Sequence, residues 1–161
     1  MARRNTTLSG AAGEHYVMYR LLKRGHLAAL TPTGAKGVDI LISDTDGGHL
    51  AAIQVKTSAD AVTVGWRMDQ KHEGMRNSRL FYCFVDPGRS EEPTCYIVPS
   101  NVVADHVYTT HRAWLAGVPA RGATRKDGAG RKMHLVCRHP PMDAYPSGWM
   151  DQYREAWDLL N

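Results

Sequence analysis

Two short apolar segments either side of one turn constrain this chain more than any other feature. Residues 38–43 and 50–58 are rich in branched aliphatic side chains, and Asp44-Thr45-Asp46-Gly47-Gly48 stands between them. Aspartate and glycine suit tight reversals, so the stretch predicts a β-hairpin. Side chains along a strand alternate between its two faces. Val38, Ile40 and Ile42 therefore share one face, with Asp39, Leu41 and Ser43 on the other. On the return strand Ile53, Val55 and Thr57 lie opposite Gln54, Lys56 and Ser58. A tight hairpin places Asp39 within about one register position of residues 53–55. A carboxylate, a carboxamide and an ammonium then converge on two neighbouring strands. A solvent-facing sheet carries the same alternation, so the hairpin alone leaves both readings open.

The segment upstream adds a second carboxylate. Residues 9–25 have helical periodicity, with Ser9 as expected N-cap and Gly25 as stop. At 100° per residue Ala11, Val17, Met18, Leu21 and Leu22 share a face, and Glu14 falls in the middle of it. A carboxylate inside an apolar stripe is costly unless something pairs with it. Lys56 or a bound cation would serve. Two carboxylates, an amide oxygen and a lysine around one spot suit Mg²⁺, which prefers hard oxygen ligands.

The run Gly37-Val38-Asp39-Ile40-Leu41-Ile42, a glycine-rich turn, and Ala52-Ile53-Gln54-Val55-Lys56-Thr57-Ser58 resembles the PD-(D/E)XK nuclease superfamily. That superfamily includes Holliday-junction resolvases, many restriction enzymes and a homing-endonuclease branch. The resemblance covers residues 9–58 and extends to the strand expected at 80–85. It implies a restriction-endonuclease-like α-β-β-β-α-β core, with Glu14 on the first helix, Asp39 opening the second strand and Gln54-Val55-Lys56 on the third. Valine stands before Asp39 where the motif has proline. Gln54 stands where an acid is usual, a variant similar to the homing-endonuclease branch. The resemblance further implies Mg²⁺ or Mn²⁺ held by Asp39, the Gln54 side-chain oxygen and the Val55 carbonyl. Glu14 would hold a bound water or a second cation, and Lys56 would orient water and neutralise charge. Thr57 and Ser58 would contact phosphate or support the ligands. Lys36 is either a backbone contact or a turn lysine. The implied substrate is nucleic acid, most naturally DNA. The fold often dimerises to cut two strands, although no residue forces a homodimer here.

The rest of the chain reads as an α/β or α+β fold with a mixed sheet. Residues 26–31 are a short apolar segment. A strand is expected at 62–68, a polar helix at 69–78, and strands at 80–85 and 95–98. Pro99-Ser100 opens a helix to about 107, residues 109–116 are helical, and 132–138 form a last strand. Ser147 is placed to cap a C-terminal helix carrying Trp149, Met150, Tyr153, Trp157 and Leu160 as a packing stripe. The 161 residues read as a single domain, with a core at about 9–85 and an elaboration at about 95–161.

Composition narrows the function classes. The chain is 43% apolar and 22% charged, ordinary for a globular protein. No apolar run is long enough to span a bilayer, and no apolar stretch follows the charged first residues, so no membrane role and a cytoplasmic location are expected. Cys83, Cys95 and Cys137 include no C-x-x-C pair and read as reduced thiols. The pairs and triples of histidine and cysteine at 106/111 and 134/137/139 lack common zinc spacings. No Walker or Gly-x-Ser-x-Gly element is present. Net charge is +4, which admits a polyanionic partner. Arg121, Arg125, Lys126, Arg131, Lys132 and Arg138 crowd one segment against Asp127 alone. That segment is either a nucleic-acid contact, through Arg125, Lys126, Arg131 and Lys132, or a solvated loop. Two rivals to a nuclease stand: an inactive nucleic-acid-binding or scaffold module that kept the fold, favoured by Gln54, and an interaction protein using the acidic C-terminal segment.

Overall fold

The computed structural model describes residues 6–32, 34–59, 61–88, 92–118, 124–137 and 143–161. Helix α1 (Thr6–Lys23) leads into β1 (Leu27–Leu30), β2 (Ile40–Ser43) and β3 (Leu50–Thr57). Then come β4 (Trp66–Asp69), β5 (Leu80–Asp86), β6 (Thr94–Pro99), α2 (Ser100–Ala116) and β7 (Gly130–Met133). Five strands form a mixed sheet in the order β1-β2-β3-β5-β6, and β4 pairs with β7 in a separate two-stranded ribbon. Only β3 and β5 run parallel in the main sheet. This is the mixed α/β architecture expected from the sequence.

The predicted hairpin is present, and Ile40 lies opposite Ile53. Its alternation separates two cores. Ile40, Ile42, Ile53, Val55, Cys83 and Val85 pack with Val17 and Leu21 of α1 on one face. Tyr82, Phe84, Val98, Trp66, Met68 and Met133 pack with Val103 and Val107 of α2 on the other. Gly13, Val17 and Leu21 are the buried line of α1, one residue every fourth position. Ala11 and Leu22, expected on that line, are exposed because the contact is narrower than the apolar stripe. The helix starts at Thr6, ahead of the expected cap at Ser9. It ends near Gly25, whose φ of +89° suits glycine and closes the last turn on Leu22.

Three expected elements differ. No helix spans 69–78; β4 ends at Asp69 and one 3-10 turn follows at Gln70–Glu73. That stretch has no apolar stripe to bury, and Gly74 interrupts it. Residues 100–116 form one helix rather than two. The C-terminal helix is replaced by two 3-10 turns, Asp151–Tyr153 and Trp157–Leu160. Between them Glu155 takes φ +53° while its carboxylate accepts the Cys95 N–H at 2.7 Å and the Trp157 indole N–H at 2.8 Å, and pairs with Arg20. Those bonds to β6 and α1 replace helix continuation and send Met150 and Trp157 to opposite cores. The last strand also differs: it is Gly130–Met133 rather than 132–138, residues 134–137 are not in a strand, and Arg138 lies outside the described residues.

Candidate active site

The site forms where β2 and β3 part. The Asp39 N–H still bonds the Ile53 carbonyl at 2.9 Å, but the next donor along β3 meets a side chain instead. The Val55 N–H donates to Asp39 Oδ2 at 2.7 Å. That bond fixes the carboxylate against β3.

Gln54 and Lys56 occupy alternate positions on β3, beside Tyr82 and Phe84 of β5 in register. Gln54 is only 5% exposed, and its Oε1 has no hydrogen-bond partner. A buried, unmatched amide oxygen costs about 1–3 kcal/mol, which makes it a candidate ligand atom. Lys56 is half-buried. Burial pushes its ammonium below the ordinary lysine range, opposed by Asp39, reinforced by Lys71, and opposed again by Asp69 and Glu14.

Glu14 arrives through a close helix approach. A Cβ at Gly13 would overlap Thr57 Oγ1, so only glycine lets α1 lie this near β3. The turn carrying Glu14 is thereby held within electrostatic reach of the hairpin. Burial raises the Glu14 pKa first, and the Asp39 carboxylate raises it further, while His15 and Lys56 act the other way. A helix carboxylate whose charge Asp39 disfavours, Asp39 itself and the unbonded amide oxygen of the neighbouring strand are donor types suited to a hard divalent cation. Glu14, Asp39 and Gln54 fit such an ion. Among the described residues no group of three or more histidine, cysteine or acidic side chains is arranged to hold a metal. His139 lies outside the described residues.

The remaining candidates divide. Thr57 Oγ1 is buried without a partner beside Gly13, whereas the Ser58 hydroxyl donates to the Gly65 carbonyl at 2.7 Å and is buried. Lys36 is exposed in the turn before β2. Arg125 stacks over Trp114 with its guanidinium 4.9 Å from the ring centroid and bonds the Trp114 carbonyl. Lys126 is exposed, and Lys132 is exposed on β7. Arg131, expected to contact nucleic acid, does not face solvent. Its side chain is fully buried, paired with Glu73, and bonded to the Gly128 carbonyl at 2.6 Å. The charge pattern of the segment is visible in the sequence, but the alternation that turns Arg131 inward requires β7 to pair with β4. Arg121 and Arg138 of the same segment lie outside the described residues.

Sequence reasoning missed His72 and Tyr82. His72 is fully buried, and its Nδ1 lies 2.7 Å from the Tyr82 hydroxyl while Nε2 has no partner. Its pKa is pushed down to about 4 by burial, then by Lys56 and Lys71. The one available signal was Tyr82 at an inward-facing strand position beside Gln54.

No family profile matches the sequence, and no curated protein matches it. Among solved structures the fold is similar to that of the bacterial homing endonuclease I-Ssp6803I, at 20% identity and a TM-score of 0.51, covering 98% of this chain and 91% of that one. The chain has that nuclease-like α+β fold.

Proposed function

We propose that this protein is a divalent-metal-dependent nuclease of the PD-(D/E)XK type that hydrolyses phosphodiester bonds in DNA. The buried Gln54 oxygen without a partner carries the reading, next along β3 to the Val55 N–H that holds Asp39 and two residues before Lys56, with Asp39 and Lys56 both acting on the Glu14 charge. The homing-endonuclease-like fold supports DNA as the substrate. Asp39, the Gln54 side-chain oxygen, the Val55 carbonyl and Glu14 would hold Mg²⁺ or Mn²⁺. Such an ion supplies electrostatic stabilisation of phosphate charge and a more acidic water.

The chain's own groups do the rest. The Val55 N–H orients the Asp39 carboxylate. Lys56 donates to the scissile phosphate and to the attacking water. Its lowered pKa brings it nearer the range where an amine exchanges a proton at neutral pH. Glu14 would hold the ion or a water beside it.

Supercoiled plasmid tests the proposal. Nicking that requires Mg²⁺ or Mn²⁺ is expected. Lys56→Ala should slow it about 10²-fold or more, the scale of one lost electrostatic or proton-transfer group, with little change in DNA affinity. Asp39→Ala should abolish cation binding in calorimetry. The neutral amide at position 54 favours a second reading, a DNA-binding module without turnover. Tight DNA binding with no nicking under any divalent cation would select it.

A further inference from the structure

Strands β4 and β7 form a two-stranded antiparallel ribbon with two unlike faces. Trp66, Met68, Arg131 and Met133 point inward and are at most 2% exposed. Arg67, Asp69, Gly130 and Lys132 point outward and are exposed. The register sets Arg67 directly opposite Lys132. Side chains so placed have their Cβ atoms about 5 Å apart, and like charges there repel. No ion pair to either cation is found among the described residues, although the buried Arg131 between them has two acidic partners. The fold neutralises the inward cation and leaves the outward pair open.

The ribbon is held rigid. The Trp66 indole donates to the Val85 carbonyl at 3.0 Å. Gly65 takes φ +71° where any Cβ would strike the Met133 carbonyl, so the ribbon's start is clamped onto its partner strand. The Gln70 N–H continues the pairing to the Ala129 carbonyl at 2.8 Å. The far end reaches the proposed active site, because Asp69 and Lys71 both act on the Lys56 charge.

We infer that the outward face of this ribbon docks double-helical DNA in its major groove, with Arg67 and Lys132 as its principal contacts. This rests on the reading of the protein as a DNA nuclease. A major groove about 12 Å wide admits a two-stranded ribbon, and arginine and lysine recognise guanine edges and phosphates there. A polyanion relieves the repulsion between the two cations, which gives the unpaired arrangement a reason. Asp69 provides an acceptor for the cytosine amino group. The predicted basic loop therefore acts through one strand of this ribbon, paired with Arg67, which the charge pattern of the loop did not include.

The test is Arg67→Ala/Lys132→Ala in the full chain, with binding measured in EDTA to a fluorescent 20-base-pair duplex and to its single strand. The expected result is a Kd for duplex raised tenfold or more, with a smaller rise for the single strand. The salt slope should flatten by up to about one for each phosphate interaction removed. The melting temperature of the variant should equal or exceed that of the parent, because a repulsive pair has been removed. An unchanged duplex Kd, an equal loss for both forms, or absence of duplex binding by the parent protein would overturn the inference. The two proposals fail separately. Metal-dependent nicking with an unaffected double variant removes the ribbon and keeps the nuclease, whereas duplex binding lost in the variant with no nicking by the parent does the reverse.

Discussion

Two of the places where this molecule buries polar groups treat them in opposite ways. Around Arg131 every guanidinium nitrogen has an acceptor: Glu73 and Asp127 supply carboxylates, and Gly128 and Gly130 supply carbonyls. Around Gln54 the pairing is incomplete. The Gln54 Oε1 and, across Tyr82, the His72 Nε2 atoms are buried with no partner, and Lys56 is partly stripped of water. Both regions incur desolvation, but only the first recovers it within the chain. A saturated cluster stabilises a fold. An unsaturated one beside two carboxylates stores binding capacity for something that is not protein.

The contrast is broken most visibly at Arg131. Arg131→Met removes the guanidinium and leaves Glu73, whose side chain is 15% exposed, without its counter-charge. A loss of about 3–5 kcal/mol in chemical denaturation is expected, the scale of a broken buried pair. A loss under about 1 kcal/mol would show that the cluster adds no more than a surface bridge.

Acid sharpens the contrast at intermediate scale. His72 beside the site and His106 on the buried face of α2 are buried and neutral, with pKa values pushed down to about 4 and about 3, in both cases chiefly by burial. The unfolded chain takes up a proton at each near the ordinary 6.5. Stability from these groups is therefore complete above pH 6.5 and is lost as pH falls toward their folded values. At about pH 5 each should have lost about 2 kcal/mol relative to neutral pH. Denaturation at about pH 7 and about pH 5 measures the sum, and His72→Phe should remove about half of the pH dependence. A variant with the full dependence would place the protonation elsewhere.

The smallest effect discriminates best. Gln54→Leu removes a buried oxygen that has no partner, so stability without metal should stay level or rise by up to about 1 kcal/mol. The same variant should bind Mn²⁺ or Mg²⁺ more weakly, seen as a smaller rise of melting temperature on adding the ion. A clear destabilisation in EDTA would mean that Gln54 has a structural partner and that the two regions are alike.

The local half of this protein was legible in its sequence. Period-two alternation placed Asp39, Gln54 and Lys56 on a hairpin, while the helical period set Glu14 in the middle of an apolar face, where the structure has it half-buried beside the line of Gly13, Val17 and Leu21. These patterns need only neighbouring residues and one turn, so they survive without knowledge of the rest of the chain. The tertiary structure alone decided the other half. The closeness of Gly13 to Thr57 brings Glu14 to the hairpin, and nothing in either segment announces it. The pairing of β4 with β7, strands far apart in the chain, turned Arg131 inward and set Arg67 opposite Lys132. The C-terminus yielded helical propensity to partners elsewhere in the fold, through Glu155 on Cys95 and Arg20. Propensity there is worth about tenths of a kcal/mol per residue, and a few buried contacts outweigh it. A sequence sets what a strand or helix can present; only packing across the chain determines which of those groups find a partner and which are left for a ligand.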